Sequence, residues 1–402
     1  MMFQDILVLI AAFITCCYTL QKTIYVSKKK QLFDIPSESR KIHIHKTPNL
    51  GGVAVYSSFV LVFALFSSFY GSIPHVEFLI AATLILFFTG VTDDLAGMNP
   101  YKKLVAQILC ALLVAIFTEY RITNLYGLFS VAEIPVLPGI ILTTIFITFL
   151  TNAYNLIDGI NWLAGTLGII SFGVFAILFS LHHDTGFLLL CLALCGCLSA
   201  FLLFNKTPAR IFLGDSGSLM IGFLTAIFSL RYLALASNNP NTSAWISNTS
   251  APAIVMAIVI IPLIDTTRVF VLRLLKKRSP FTADRNHLHH LLLDRGFSHL
   301  QSTAILILCN SPVLLLAFTM EWKIYNFIPI GITSVATPLI VFYLADIKSQ
   351  QFSAPLPKET ARLISLDFRM PIDNGATKAG KGNIGRQKIT ADNLHEKEIS
   401  IS

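Results

Sequence analysis

The sequence predicts an all-α membrane protein, a polytopic bundle of about eleven transmembrane helices. Its 402 residues are 54% hydrophobic and only 13% charged, whereas about a quarter of the residues in a soluble globular chain are charged. Apolar runs of roughly 20 residues, the length that crosses a bilayer, follow one another almost without pause. These runs are continuous and do not alternate in polarity, which favours helices over a β-barrel.

The first apolar run is long and further spans follow it, so it predicts an anchor helix and not a cleaved signal peptide. The predicted membrane domain covers 1–345, and the polar residues 346–402 predict a largely disordered cytoplasmic tail. The predicted spans are 4–25, 49–70, 76–92, 103–119, 137–152, 163–181, 186–204, 212–234, 251–273, 301–318 and 324–345.

The distribution of basic residues predicts the orientation of the bundle, because Lys and Arg favour cytoplasmic loops. The loops at 26–48, 91–103, 152–162, 204–212 and 273–300 hold 16 Lys and Arg residues, whereas the loops on the opposite side hold 3. The N-terminus is therefore expected outside and the C-terminus in the cytoplasm. Basic loops beside an anionic leaflet also account for the net charge of +8, so this charge does not indicate a nucleic-acid partner.

The first polar motif is the acid pair Asp93–Asp94, which directly follows the apolar run of the third span. Adjacent acids at a helix end can be a solvated cap. They can also bind Mg²⁺ or act on a phosphate, since Mg²⁺ prefers carboxylate oxygens and keeps water and phosphate oxygens as its other ligands. Lys102 and Lys103 follow closely, and they either bind phosphate or only mark the inner face.

The segment NAYNLIDG places Asn152, Asn155 and Asp158 at intervals of three residues. In a helix this spacing puts the three side chains on roughly one face. Three polar groups where a span meets the cytosol favour the wall of a binding pocket. The alternative is hydrogen bonding between helices, which asparagine often supplies in membranes.

The segment FNKTPARIFLGDSGS precedes the eighth span and contains Asn205 and Asp215. Glycines and small serines around Asp215 let the backbone approach a ligand closely. An acid at the start of a helix also complements the helix dipole, which alone could explain Asp215. The surrounding glycines favour a metal ligand.

The ninth span contains Asp265 and Arg268, whose i,i+3 spacing favours a structural ion pair. The basic loop after this span brings His287, His289 and His290 within four residues. Such a cluster indicates phosphate contacts or a metal site. Zinc would need cysteine or well-spaced histidine partners, which are not evident here, so phosphate contact is favoured.

Taken together, these motifs resemble those of the polyprenyl-phosphate N-acetylhexosamine-1-phosphate transferases, glycosyltransferase family 4. The resemblance runs in order over about 40–300 and includes KTPNLGG at 46–52, the acid pair, the NxxNxxDG segment, FNxxPA with GDSGS, and the histidine loop. The loop sequence SPFTADRNHLHH is similar to that of the branch that transfers N-acetylglucosamine 1-phosphate to undecaprenyl phosphate.

The resemblance implies a multi-pass enzyme of the inner (cytoplasmic) membrane. Such an enzyme transfers N-acetylhexosamine 1-phosphate, first of all that of N-acetylglucosamine, from a UDP-sugar to undecaprenyl phosphate at the cytoplasmic face. It needs Mg²⁺, or Mn²⁺ in its place, releases UMP and initiates a cell-surface polysaccharide. The implied partners are both substrates and the lipid bilayer, with a homodimer left open.

Other functions remain as alternatives. Phospho-N-acetylmuramoyl-pentapeptide transfer is the alternative within the family, and a polytopic transporter or a membrane sensor are the alternatives outside it. Transporters usually bind their substrate near the bilayer midplane at repeated, broken helices. In this chain the acids lie at the cytoplasmic ends of the predicted spans, which argues against transport.

The resemblance also assigns roles to the residues that match its motifs. It implies Asp215 as the principal metal ligand with Asp94 near the metal, and Asp93 as the group that handles the lipid phosphate. The other implied residues are Asp158, with a catalytic role, and the substrate-binding residues Lys46, Lys102, Asn152, Asn155, Asn205, Arg285, His287, His289 and His290.

The chain departs from the family pattern directly after Asp158. The family usually continues DG with Ile-Asp-Gly, whereas this chain has Ile160, Asn161 and Trp162. An amide thus replaces an acid, and a large aromatic ring replaces glycine, at the expected nucleotide end of the site. This favours an altered choice of UDP-N-acetylhexosamine, with an interfacial anchor as the alternative role of Trp162.

Overall fold

The computed structural model describes residues 2–32, 47–124, 133–238, 251–277 and 286–319, with a few positions between 336 and 343. Every regular element in these ranges is helical, and none of them is a strand. The helices are α1 (Met2–Lys30), α2 (Gly51–Phe66), α3 (Val76–Ala96), α4 (Pro100–Phe117), α5 (Val136–Ile157), α6 (Leu163–Leu181), α7 (Thr185–Asn205), α8 (Asp215–Asn238), α9 (Ala251–Leu275), α10 (Leu288–Asp294) and α11 (His299–Thr319).

Ten of the described helices, all except the short α10, are long and apolar enough to cross a membrane. They coincide with the first ten predicted spans, so the all-α membrane class is confirmed. The predicted eleventh span, 324–345, lies largely outside the described residues, and the tail 346–402 lies wholly outside them. The count of eleven spans and the orientation of the bundle stay predictions.

Among the described helices, α7 and α8 are the most deeply buried, since most of the apolar stretch of each lies inside the protein. An aromatic cluster ties them to α6, because the ring centroids of Phe179, Phe187 and Phe228 lie 5.2 to 6.0 Å apart. Tilted and edge-to-face rings of this kind stabilise the packing beyond the area they bury. The helix α8 is therefore fixed in the centre of the bundle.

Small residues bring three other helices into close contact with α8. A Cβ atom on Gly52 of α2 would lie 2.1 Å from the backbone nitrogen of Gly217, and one on Gly90 of α3 would lie 2.4 Å from the backbone of Ser216. A Cβ atom on Gly222 of α8 would lie 2.8 Å from the backbone of α5. Membrane helices commonly approach one another through small residues. This packing holds the ends of α3 and α5 beside the start of α8.

An ion cluster fixes the opposite end of α8. Arg231 donates through Nε to Asp184 and through Nη1 to Glu119, both at 2.7 Å. Asp184 also caps α7, since it accepts a hydrogen bond from the backbone nitrogen of Phe187 at 3.2 Å. At 1.5 Å per residue this cluster lies about 24 Å along the helix from Asp215. It therefore anchors the bundle without taking part in the site at the other end.

Candidate active site

A polar cavity of about 200 Å³ lies at the end of the bundle where α3, α5 and α7 end and α2, α6 and α8 begin. Its wall contains three acids and four asparagines. Each motif of the family resemblance except the histidine loop contributes at least one lining residue. The lining residues are Asn49, Asp94, Asn155, Asp158, Gly159, Ile160, Asn161, Asn205, Phe212, Leu213, Gly214 and Asp215.

The side chain of Asp94, at the end of α3, caps the first turn of α8. Its Oδ1 accepts a hydrogen bond from the backbone nitrogen of Asp215 at 2.7 Å. Its Oδ2 accepts from the backbone nitrogen and the hydroxyl of Ser216, at 3.0 and 2.8 Å. The first N–H groups of a helix have no partner within that helix, and a carboxylate there also complements the dipole. Asp94 therefore fixes the place of Asp215 in the cavity.

The turn that leads into α8 requires glycine at position 214. Gly214 has a φ of +73°, which is a left-handed conformation that favours glycine. A Cβ atom here would also lie 2.1 Å from the carbonyl oxygen of Asn49 and 2.6 Å from Oδ1 of Asp94. The first glycine of GDSGS is thus needed to bring Asp94 onto the helix start.

The start of α2 pairs with the chain that precedes GDSGS. The backbone nitrogen of Phe212 donates to the carbonyl oxygen of Pro48 at 2.9 Å. In return, Gly51 donates to Phe212 at 2.9 Å, and Gly52 donates to Leu213 at 2.7 Å. Acceptors outside the helix thus satisfy the first N–H groups of α2. The described part of KTPNLGG supports the turn at 214, a role that the sequence did not reveal.

The ammonium group of Lys103 on α4 joins Asp93 and Asp215. Its Nζ lies 2.8 Å from Oδ2 of Asp93 and contacts Oδ2 of Asp215. The other oxygen of Asp93 accepts a hydrogen bond from the backbone nitrogen of Met98 at 2.5 Å. Lys102, the predicted substrate ligand, is exposed. The structure therefore brings Lys103, and not Lys102, to the acids.

Asn155 holds the second oxygen of Asp215. Its Nδ2 donates to Oδ1 of Asp215 at 2.8 Å and to the hydroxyl of Ser218 at 3.0 Å. Asp215 therefore turns one oxygen towards a neutral amide and the other towards a cation. Asn152, one turn earlier on α5, is half-buried and is absent from the described wall of the cavity. The structure thus brings Asn155 and Asp158 to the cavity, but not Asn152.

Asp158 follows the last residue of α5 and borders the cavity. Burial raises the pKa of this carboxyl group well above its usual range, and repulsion from Asp215 and Asp94 raises it further. The raised pKa favours the protonated form of this carboxyl group. In that state Asp158 can donate a hydrogen bond to an anionic ligand.

Two asparagines hold the loop after Asp158 in place. Oδ1 of Asn205 accepts from the backbone nitrogen of Trp162 at 2.6 Å, and its Nδ2 donates to the carbonyl oxygen of Ile211 at 3.0 Å. Nδ2 of Asn161 donates to the hydroxyl of Thr207 at 2.8 Å. Both asparagines also border the cavity. The segment that departs from the family pattern therefore belongs to the wall of the site.

Asp265 on α9 holds the histidine loop. Its Oδ2 lies 2.9 Å from Nδ1 of His287 and 3.7 Å from Nδ1 of His289, and its Oδ1 accepts from the backbone nitrogen of Leu288 at 2.8 Å. Arg268, the predicted partner, lies 4.0 Å from Asp265. The predicted Asp265–Arg268 ion pair is therefore present but long, and Asp265 makes closer contacts with the histidine loop.

His289 of the histidine loop packs against Gly159, a residue of the cavity wall. His289 is fully buried, and a Cβ atom on Gly159 would lie 2.2 Å from its Nε2. Burial lowers the pKa of His289 and outweighs the opposite effect of Asp265, so the neutral imidazole is favoured. The ring of His290 lies 4.3 Å from that of His289.

Phosphate contacts of the histidine loop stay a prediction, since none of the three histidines belongs to the described wall of the cavity. Two further predicted substrate ligands, Lys46 and Arg285, lie outside the described residues.

The acids fit a divalent cation that takes few protein ligands. Asp93 and Asp215 each turn one oxygen towards the same position, where the ammonium group of Lys103 lies. Mg²⁺ commonly uses one or two carboxylates and completes its shell with water and substrate phosphates. In the described part of the chain no three His, Cys, Asp or Glu side chains are arranged to hold a metal ion by themselves. Phosphate oxygens of a substrate would therefore have to supply part of the coordination.

Comparison with known proteins agrees with the motifs. Residues 76–233, from α3 into α8, match the profile of glycosyl transferase family 4. The undecaprenyl-phosphate α-N-acetylglucosaminyl 1-phosphate transferase of Escherichia coli K12 is 28% identical to this chain, over 79% of the chain and 84% of the relative.

Two further relatives are similar at the same level. The enzyme of the same name from Yersinia pestis is 29% identical over 74% of this chain and 81% of its own. The probable undecaprenyl-phosphate N-acetylglucosaminyl 1-phosphate transferase of Bacillus subtilis 168 is 29% identical over 68% of this chain and 73% of its own. These comparisons confirm the resemblance that the motifs indicated.

Proposed function

Because residues 76–233 belong to glycosyl transferase family 4, we propose that this multi-pass membrane protein transfers N-acetylglucosamine 1-phosphate from a UDP-sugar to undecaprenyl phosphate. The reaction takes place at the cytoplasmic face of the inner membrane, releases UMP and starts the synthesis of a cell-surface polysaccharide. The observation that carries this proposal is the convergence of three acids and four asparagines in one cavity at the end of a membrane-spanning bundle.

The chemistry joins two phosphates. An oxygen of the lipid phosphate attacks the phosphorus that carries the sugar, the bond from that phosphorus to the bridging oxygen breaks, and UMP leaves with this oxygen. A phosphate monoester is largely dianionic near neutral pH, since its second pKa is about 6, so the attacking oxygen needs no strong base. The protein therefore contributes mainly positioning and neutralisation of charge.

In this proposal Asp215 and Asp93 hold the cation of the reaction. A bound Mg²⁺ would neutralise the diphosphate and stabilise the charge that develops on the leaving UMP. Lys103, which lies between the two acids, supplies a second positive charge for the phosphates. Asp94 positions Asp215 without binding the cation, since its oxygens already accept three hydrogen bonds from Asp215 and Ser216.

The amides of the cavity bind the nucleotide sugar. Asn155, Asn161 and Asn205 each present both a donor and an acceptor, which suits sugar hydroxyls and the N-acetyl group. Protonated Asp158 can donate to a diphosphate oxygen, where an ionised carboxylate would repel it. The cavity of about 200 Å³ is smaller than a typical ligand site of roughly 300–1,000 Å³, so it holds part of the donor only.

The test is transfer of label from radioactive UDP-N-acetylglucosamine to lipid, in detergent, with purified protein and undecaprenyl phosphate. We expect labelled lipid, and we expect Asp215→Asn to lower the rate by at least about a hundredfold, because loss of a metal's charge stabilisation costs several kcal/mol. The matched control is Asp5→Asn on α1, an acid whose described partner is the hydroxyl of Tyr70 at 2.8 Å.

The same assay in sealed vesicles separates the alternatives. A transporter would carry label into the lumen, and a sensor would leave the label in solution. Labelled lipid only with UDP-N-acetylmuramoyl-pentapeptide would identify the other branch of the family. Any of these three results, or an active Asp215→Asn variant, would contradict the proposal.

A further inference from the structure

We propose that the ammonium group of Lys103 is a built-in cation that holds Asp93 and Asp215 together and gives up its place on Asp215 when a divalent cation binds. The inference rests on the proposed use of a divalent cation. It gives a positioning role to Lys103, which the sequence left as either a phosphate ligand or a mark of the inner face. Its test needs no sugar donor and no lipid acceptor. The metal-exchange proposal can therefore fail while the transferase proposal holds, and the transferase proposal can fail while the metal exchange holds.

The geometry places one cation position between two acids. Each acid has one oxygen fixed by a neutral donor, the backbone nitrogen of Met98 for Asp93 and the amide of Asn155 for Asp215. The remaining oxygen of each acid turns to Nζ of Lys103. A single positive group therefore bridges two carboxylates that would otherwise repel each other.

The local charge is strongly negative without a further cation. Of the acids, Asp94 and Asp215 border the cavity and Asp93 adjoins it, whereas Lys103 is the basic group in contact with the acids among the described residues. The side chains of Lys103, Asp93 and Asp215 are only 15%, 17% and 25% exposed, so water screens these charges weakly. Such a site attracts a second cation, and the two carboxylate oxygens that now contact Lys103 are where it would bind.

A lysine suits an exchangeable position better than an arginine does. Its ammonium group is a compact charge on a flexible stem, and it makes no bidentate contact that fixes its direction. When a divalent cation binds the two acids, the ammonium group would leave Asp215, stay beside Asp93 and turn towards the phosphate of the substrate. The single charge of Lys103 thus lowers the affinity for metal in the resting protein and helps to position the phosphate afterwards.

The first test measures Mn²⁺ binding to the purified full-length protein without substrates. The free ion is quantified by its electron paramagnetic resonance signal. We expect Lys103→Met to bind Mn²⁺ at least about fivefold more tightly than the wild type, because the competing cation is gone. Lys102→Met, which changes the exposed neighbour on the same helix, is the matched control and should stay within about twofold. Equal or weaker binding by folded Lys103→Met, or no saturable binding by any of the three proteins, would overturn the proposal.

The second test uses the wild type alone and therefore does not depend on how the variant folds. A water-soluble acetylating reagent modifies free amines, and mass spectrometry compares Lys103 with Lys102 in the same sample. We expect saturating Mn²⁺ to raise the labelling of Lys103 relative to Lys102 severalfold, since the ammonium group leaves Asp215. A ratio that does not change with Mn²⁺ would show that the ion does not displace Lys103.

Discussion

The carboxylate of Asp94 accepts a hydrogen bond from the backbone nitrogen of Asp215 at 2.7 Å, so the end of α3 caps the start of α8. Asp265 stands in the same relation to α10, because it accepts from the backbone nitrogen of Leu288 at 2.8 Å. In both cases an acid on a membrane-crossing helix satisfies the first N–H groups of a different helix. The two acids hold the GDSGS and histidine segments in place, which links the packing of the bundle to the site.

Asp94→Asn should destabilise the protein. An asparagine cannot supply two acceptor oxygens, so its NH₂ group would face a backbone N–H, and an unsatisfied buried donor costs about 1–3 kcal/mol. We expect a lower thermal midpoint in detergent, with slower transfer because Asp215 moves. Asp5→Asn at the opposite end of the bundle is the control. A normal midpoint together with lost transfer would instead indicate that Asp94 acts directly on the metal or the phosphate.

Asp158→Asn should raise stability at neutral pH. A carboxyl group whose pKa is raised by folding makes the folded state less stable above its unfolded pKa of about 3.9. This loss is absent below that value and grows as the pH rises towards the folded pKa, and the amide removes it. We expect a higher thermal midpoint than the wild type at pH 7 and a smaller difference near pH 5. Identical midpoints at both values would mean that Asp158 is ionised and well solvated.

Hydropathy predicted the helices because membrane spans are a local property of about 20 residues. The choice between Lys102 and Lys103 is different. Neighbouring residues on a helix point about 100° apart, so only the packing of α4 against α3 decides which lysine meets Asp93. Before folding, the two lysines are chemically equivalent, so the sequence alone does not distinguish the exposed Lys102 from the half-buried Lys103.

The caps could not be predicted from sequence for a related reason. Asp94 and the nitrogen that it accepts from lie 121 positions apart in the chain, and Asp265 and Leu288 lie 23 apart. Spacing rules cover neighbours on one helix, so they favoured the pair Asp265–Arg268. A backbone N–H at the start of another helix is a partner that becomes visible only once the helices are packed.

The histidine loop should matter more for transfer than equally buried residues of the core. His289 touches Gly159 beside Asp158, whereas Cys191 lies buried within α7. We expect His289→Ala or His290→Ala to slow lipid labelling at least about tenfold, and Cys191→Ala or Cys195→Ala to leave it within about twofold. Rates are to be compared at equal amounts of folded protein. Equal losses in all four variants would point to general folding damage.

The site end of the bundle should face the cytoplasm, as the basic loops predict. A cysteine introduced at exposed Lys102 should react with a membrane-impermeant thiol reagent only in inverted vesicles. A cysteine at exposed Ser72, at the other end of α3, should react in intact cells. The parent protein without the new cysteines gives the background. The opposite pattern of labelling would reverse the orientation and exclude a cytoplasmic sugar nucleotide as the donor.

Trp162 should influence the choice of sugar donor. Its φ of +74° is a left-handed conformation that costs a residue with a side chain about 1–2 kcal/mol. Among the described residues its buried indole Nε1–H has no hydrogen-bond partner. Strain of this kind persists where surrounding structure imposes it, and it is frequent at ligand sites. The family pattern that the motifs resemble has glycine here, which adopts this conformation freely. Tryptophan at position 162 therefore carries a backbone strain that glycine would not.

The double change Asn161→Asp with Trp162→Gly restores the family pattern beside Asp158. The backbone should tolerate both substitutions, because glycine suits the φ of position 162 and the hydroxyl of Thr207 can donate to an aspartate where it now accepts from Asn161. We expect the ranking among UDP-N-acetylhexosamines to change more than the rate with the best donor, measured as lipid labelling with each donor in turn. Trp162→Gly alone separates the effect of the ring from that of the charge. An unchanged ranking in both variants would leave Trp162 as an anchor at the membrane interface and would place donor selection elsewhere in the site.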